Sequence, residues 1–234
     1  GKVEMKYMTA KEEDILSTQS YIKDGTVLDR LLKSLLIGNG NGQSVKYDDL
    51  VVGDKNAIMI AARILGYGKD YKVNIIDPFS GEKQEEVIDL TEFQNKPYDG
   101  SAQSELNKNE FEFTLPNSNR EIIFQLLTES KEKYIKRQIK NLTKASRKTG
   151  DKTSKELTTR LKTMILSVDG ESDKKYISSF VDNELFAVDS RAIRSHIKEI
   201  APDIDLTFEF ISEETGERRE MSMPMDTSFF WPES

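Results

Sequence analysis

The chain has 234 residues, 36% hydrophobic and 32% charged, with a formal net charge of −7; this is enough apolar residue for a core and too much for a disordered chain. The negative field opposes docking on nucleic acid or anionic lipid, and the absence of cysteine excludes disulfides, thiolate metal sites and cysteine nucleophiles. No apolar run approaches the roughly 20 residues that span a bilayer, and GKVEMKYMTAKEED lacks the apolar centre of a signal peptide.

Thr9-Ala-Lys-Glu12 is a capping-box pattern and predicts a helix from about Ala10 to Leu16. Asp24-Gly-Thr26 sets up a second helix, with Thr26 as N-cap and Val27, Leu28, Leu31, Leu32, Leu35 and Leu36 at helical spacing. Gly38-Asn-Gly-Asn-Gly42 ends it and reads as a flexible connector rather than a phosphate loop, since it follows a helix and not a strand. Asp54 is expected to cap a third, largely buried helix, Lys55 to Leu65, terminated by Gly66 and Gly68.

A hairpin follows: Lys72–Ile76 alternates, Asp77-Pro-Phe-Ser-Gly81 turns, and Lys83 to Leu90 returns. Residues 94–108 are polar and contain Pro97 and Gly100, which predicts a long loop. Phe111–Leu115 and Arg120–Leu126 form a second hairpin pattern. A basic helix begins at Thr128, Gly150-Asp-Lys-Thr-Ser breaks the chain, and helices are expected at about Ser154–Ser167, Asp173–Asp182 and Ser190–Ile200. Their caps read as Thr153 or Ser154, Ser172 and Asp189. Asp205–Ile211, a turn at Ser212–Gly216, and Glu217–Met223 make a last hairpin, and Phe229-Phe230-Trp231-Pro232 follows. The hairpins YKVNIIDPFSGEKQEEVIDL and LTFEFISEETGERREMSMPM share an alternating strand, a knuckle ending in Gly-Glu and a charged return, a weak internal duplication.

Strands that come as local antiparallel pairs predict an α+β fold of helices with local hairpins rather than a doubly wound sheet. The expected division is an N-terminal region, 1–95, with helices and the first knuckle hairpin, and a C-terminal region, 109–234, joined by the polar loop 94–108.

Signals for chemistry are few. The one histidine, His196, has no G-x-S-x-G elbow to serve and reads as an ordinary helix residue. No P-loop and no calcium loop is present, and paired carboxylates such as Glu12-Glu13 or Glu213-Glu214 read as solvated faces. The basic helix carries Lys133, Lys136, Arg137 and Lys140. They are candidates for steering an acidic partner; the plainer reading, preferred here, is a solvated face opposite Tyr134, Ile135, Ile139 and Leu142. Phe229, Phe230 and Trp231 are costly to expose and either pack on their own domain or anchor a neighbour.

Several stretches together resemble the T-even-type phage baseplate protein family, the hub-assembly group of contractile tails. They are MTAKEEDIL, YIKDGTVLDRLL, DLVVGDKNAIMIAARILGYGKDY, FTLPNSNREIIFQLLT, the run from Val168-Asp-Gly170 to Phe180-Val-Asp-Asn183, DSRAIRSHIKEIAPDIDL and PMDTSFFWP. They follow in order over most of the chain. Each alone is weak, and the set is specific.

The resemblance implies a structural or assembly role in the baseplate hub, through contacts with other hub or tail proteins in a hetero-oligomeric assembly. It implies no enzymatic activity and no cofactor. The expected location is the virion tail baseplate, assembled in the host cytoplasm, without membrane or nucleic-acid binding. Alternatives are an assembly chaperone absent from the virion, or an enzyme with carboxylates gathered around a metal. The resemblance also implies a C-P-x-C-G knuckle in each hairpin, and with the pair a structural zinc site. Here the positions read Asp77-Pro-Phe-Ser80-Gly81 and Ser212-Glu-Glu-Thr215-Gly216. Without thiolates no tetrahedral zinc site is expected; the degenerate zinc-ribbon knuckles are expected to keep their backbone, with side-chain hydrogen bonds in place of metal ligation.

Overall fold

The structure, a computed structural model, describes residues 2–39, 41–96, 109–149, 154–225 and 229–231. In chain order the elements are β1 (Val3–Met5), α1 (Ala10–Ser17), α2 (Gln19–Lys23), α3 (Val27–Leu35), β2 (Leu36–Asn39), α4 (Val52–Tyr67), β3 (Asp70–Ile76), β4 (Lys83–Asp89) and β5 (Gln94–Asn95). Then come β6 (Phe111–Thr114), β7 (Glu121–Phe124), α5 (Glu129–Thr149), α6 (Glu156–Met164), β8 (Ile165–Val168), α7 (Lys174–Asn183), α8 (Ala187–Ile200), β9 (Ile204–Asp205), β10 (Thr207–Ile211) and β11 (Arg218–Ser222). The fold is α+β, and its small sheets are antiparallel.

Two compact units divide the chain, and neither follows the expected boundary. The first comprises Gly1–Tyr47, Gly53–Lys96 and Asp203–Ser234; the second comprises Asp48–Val52 and Pro97–Pro202. The division into 1–95 and 109–234 is therefore corrected: the last hairpin belongs with the N-terminal segments. The chain returns to the first unit where β9 pairs with β5, Gln94 opposite Asp205 and Asn95 opposite Ile204. The Lys96 N–H donates to the Asp203 carbonyl at 2.8 Å, and Asn56 Nδ2 donates to Asp203 Oδ1 at 2.9 Å. Residues 94 and 95 are thus paired strand, and the rest of the expected loop after Lys96 lies outside the described residues.

In the first unit, α1 starts at the expected capping box. The Thr9 N–H donates to Glu12 Oε2 at 3.0 Å, and the Glu12 N–H to the Thr9 carbonyl at 2.8 Å. Burial would raise the Glu12 carboxyl, but hydrogen bonds from Lys6 and Thr9 and the Lys6 charge outweigh it and hold it at about 2. α3 turns Val27, Leu31, Leu32 and Leu35 inward. Residues 36–39, expected to end the helix and begin a connector, are instead β2, antiparallel to β1.

α4 starts at Val52, so Asp54 lies within its first turn. It runs through Gly66 to Tyr67, where a Cβ on Gly66 would stand 2.3 Å from Met8 Sδ. Glycine is kept there because Met8 packs against the helix, not because the helix ends.

In the second unit, β6, β7 and β8 form one sheet, with Ile122 opposite Phe113 on one side and Val168 on the other. Residues 165–167 fall at the end of the expected helix Ser154–Ser167. The chain turns extended at Ile165, and its buried Ile165, Ser167 and Val168 complete the sheet. The core gathers Phe111, Phe124, Leu161, Phe180, Ile193 and Ile200, with others, from the sheet and from α6, α7 and α8. α7 is capped by Asp173, not Ser172: the Asp173 carboxylate accepts from the Lys175 and Tyr176 N–H groups. Asp189 caps nothing of its own helix: its buried carboxylate accepts from the Asn117 and Ser118 N–H groups at 2.8 and 3.2 Å, fixing the β6–β7 turn.

Candidate functional site

The two knuckles repeat each other's backbone hydrogen bonds. In the first, the Asp77 N–H donates to the Glu82 carbonyl at 2.8 Å and the Gly81 N–H to the Asp77 carbonyl at 2.9 Å. In the second, Ser212 donates to Glu217 and Gly216 to Ser212, both at 2.9 Å. Gly81 and Gly216 hold φ of 80° and 71°, the left-handed conformation this turn requires. The side chains at the fourth knuckle position repeat as well: the Ser80 hydroxyl accepts from the Glu82 N–H and the Thr215 hydroxyl from the Glu217 N–H.

At their centre the knuckles are joined. Ser212 Oγ donates to Asp77 Oδ2 at 2.6 Å, and Ser80 Oγ donates to the same oxygen at 2.9 Å. The Phe79 N–H occupies Asp77 Oδ1 at 2.8 Å, and the Thr215 N–H donates to Ser212 Oγ at 3.0 Å. Asp77 and Ser212 are 2% and 1% exposed. Burial would raise the Asp77 carboxyl, but the donors from Ser212, Phe79 and Ser80 hold it below the usual carboxylate range. Gln84 adds a second tie: its Nε2 donates to the Ile211 carbonyl at 2.9 Å and its Oε1 accepts from the Glu213 N–H at 3.0 Å.

This donor set does not fit zinc. Positions 77, 80, 212 and 215 offer one carboxylate and three hydroxyls, against the thiolate, imidazole and carboxylate ligands that zinc takes. The carboxylate is already engaged by three donors. Among the described residues, no three His, Cys, Asp or Glu side chains are grouped so as to hold a metal ion. What the site does is mechanical: a buried polar clasp holds two hairpins 135 residues apart in sequence.

The aromatic segment is turned inward in the first unit. Phe229 and Phe230 are each 2% exposed. Phe229 meets the Tyr71 ring edge-on at 5.1 Å and Phe230 at 5.0 Å, and Trp231 Nε1 donates to the Leu16 carbonyl at 3.1 Å. Phe229 and Phe230 as anchors for a neighbour are therefore corrected: three consecutive aromatics bury more apolar area inside than a tail could hold dry outside. Trp231 is half-buried, and Pro232 lies outside the described residues.

On α5, Lys136, Arg137 and Lys140 are exposed. Lys133 is engaged, to Asp48 at 3.0 Å and to Glu129 at 3.7 Å. Ile135 is fully buried and Ile139 packs beside it, so this stripe is core. Tyr134 and Leu142, read as part of that inner face, stand 52% and 37% exposed. The apolar residues of α5 thus split into two stripes, one inward and one outward.

His196 is a packing residue, its ring stacked on Phe113 at 4.6 Å. Sequence reasoning passed over Arg120. Its Nε and Nη1 reach Asp169 at 2.7 Å and Glu184 at 2.9 Å, its Nη2 donates to the Tyr176 hydroxyl, and its guanidinium lies over Phe180 at 4.8 Å. Hydrogen bonds to Asp169 and Tyr176 raise its pKa. It pins the start of β7, the end of β8 and α7 together; the one available signal was its place in the PNSNR turn. No family model, no curated protein and no solved structure matches the chain.

Proposed function

We propose that this chain is a structural or assembly component of a contractile phage-tail baseplate hub, acting through contacts with other hub or tail proteins. The observation that carries the reading is the ordered series of stretches, from MTAKEEDIL to PMDTSFFWP, that resembles the T-even-type baseplate family. Supporting it are large apolar side chains facing outward: Ile76 and Val87 on the first knuckle hairpin, and Phe186 and Val188 at the start of α8. Surfaces of this kind suit a subunit of a hetero-oligomeric assembly. On this reading the knuckle clasp is a rigid support for such surfaces and carries out no reaction.

The test uses the phage that encodes the chain, with mass spectrometry of purified virions and electron microscopy of tails made without it. A resident subunit is found in the virions, and its loss leaves tails without complete hubs. Absence from virions with the same assembly defect identifies a chaperone that leaves. Absence from virions together with normal hubs overturns the reading.

A further inference from the structure

In the second unit, α5, α6 and the start of α7 enclose an open groove of about 730 Å³. Its α5 wall is a stripe at positions 131, 134, 138 and 142, a spacing of three and four that marks one helix face. Tyr134 and Leu142 on this stripe are the exposed apolar residues noted above, and Leu166 and the largely buried Ile177 line the other walls. The charge of the lining is one-sided. Lys131, Lys162 and Lys174 line it, and no carboxylate does among the described residues, in a chain whose net charge is −7.

These cations are unequally compensated. Lys162 is paired with Asp182 at 2.5 Å. Lys131 Nζ donates to the Gln125 side chain, and burial lowers its pKa against the opposing charge of Glu110 nearby. Lys174 is exposed at the first position of α7, where the helix dipole adds positive potential. The groove is also preformed, because Arg160 of α6 grips Glu132 of α5 through two hydrogen bonds, at 2.6 and 3.0 Å.

We infer that this groove is the docking site for an acidic amphipathic helix of a protein partner. Helical walls, an apolar floor and flanking lysines match the helix-in-groove mode, in which apolar anchors at i, i+3, i+4 and i+7 enter and acidic flanks meet the cationic rim. The apolar lining and the acidic whole favour a protein over nucleic acid. The inference stands whether or not the assembly is a tail baseplate, so its failure leaves the proposed function untouched.

The test is a fluorescence anisotropy titration of the full chain with three labelled peptides of about sixteen residues, long enough for four helical turns. One has Leu and Phe anchors with Glu flanks, one has the same anchors with Lys flanks, and one has Glu flanks with Ser at the anchors. The Glu-flanked amphipathic peptide is expected to bind at least about tenfold more tightly than either control. Charge reversal with K131E/K174E is expected to invert the preference toward the Lys-flanked peptide. K174E alone, at an exposed position, gives a partial inversion and keeps the test valid if the double variant fails to fold. Equal binding of the Glu and Lys peptides, an unchanged preference after charge reversal, or no binding at all overturns the inference. So does a single-stranded oligonucleotide that binds more tightly than the acidic peptide and displaces it, which identifies the groove as a nucleic-acid site.

Discussion

The knuckle pair and the α5–α6–α7 groove handle polar groups in opposite ways. In the first unit, the Asp77 carboxylate is sealed among three donors that all come from the two knuckles. In the second, the half-buried Lys131 donates to the Gln125 amide near Glu110 and lines an open groove, and Tyr134 and Leu142 on the same stripe are left uncovered. A buried polar group whose hydrogen bonds are complete stabilises one arrangement. Exposed apolar surface beside lysines that line an open groove leaves room for a contact from outside the chain, as inferred above. Hydrogen-bond completeness, more than residue type, separates the structural site from the candidate contact site.

Substitutions can sharpen that contrast. The largest effect is expected on the closed side: Phe230→Ala empties a site 2% exposed and should cost about 3–5 kcal/mol, read as a lower urea midpoint. Ser212→Ala removes a donor from Asp77 and an acceptor from the Thr215 N–H, for about 1–3 kcal/mol in the same assay.

Acid should act on this side too. The Glu12 carboxyl sits at about 2, against an ordinary value of 4.5, and Asp77 is also held below its usual range. The stability each contributes is fully present above the ordinary value and is lost as pH falls toward the folded one. Glu12→Gln should therefore flatten the loss of stability between about pH 4.5 and 2 in a melting-temperature series. On the open side, replacing Lys136, Arg137 and Lys140 together by Gln should shift stability by less than about 0.5 kcal/mol, because their side chains are solvated.

Much of this architecture is legible where signals are local. Thr9 and Glu12 announce the start of α1 three residues apart, and Gly81 and Gly216 mark the knuckle turns because few other residues accept their φ. The alternation in β3, β10 and their partners needs only neighbours in sequence. Features set by distant contacts are not legible. Ile165–Val168 continues a helical pattern and becomes strand because β7 offers it an unpaired edge. Whether Phe229 and Phe230 pack on their own domain or anchor a neighbour is open until Tyr71 is placed beside Phe229. Lys131, Lys162 and Lys174 come from three separate helices, and no spacing rule joins them; the cations on α5 that the sequence makes conspicuous lie on its solvent face or are already paired.

The discontinuity of the first unit has a temporal corollary. Its clasp closes across 135 residues, and the Trp231–Leu16 contact across 215. During synthesis the inserted body can finish condensing while the segment up to Lys96 still waits for Asp203 and beyond to leave the ribosome. Until then β3 shows Tyr71, the ring that later meets Phe229, to whatever is nearby. Such late, long-range closure slows folding and makes the nascent N-terminal half the part most dependent on chaperone protection.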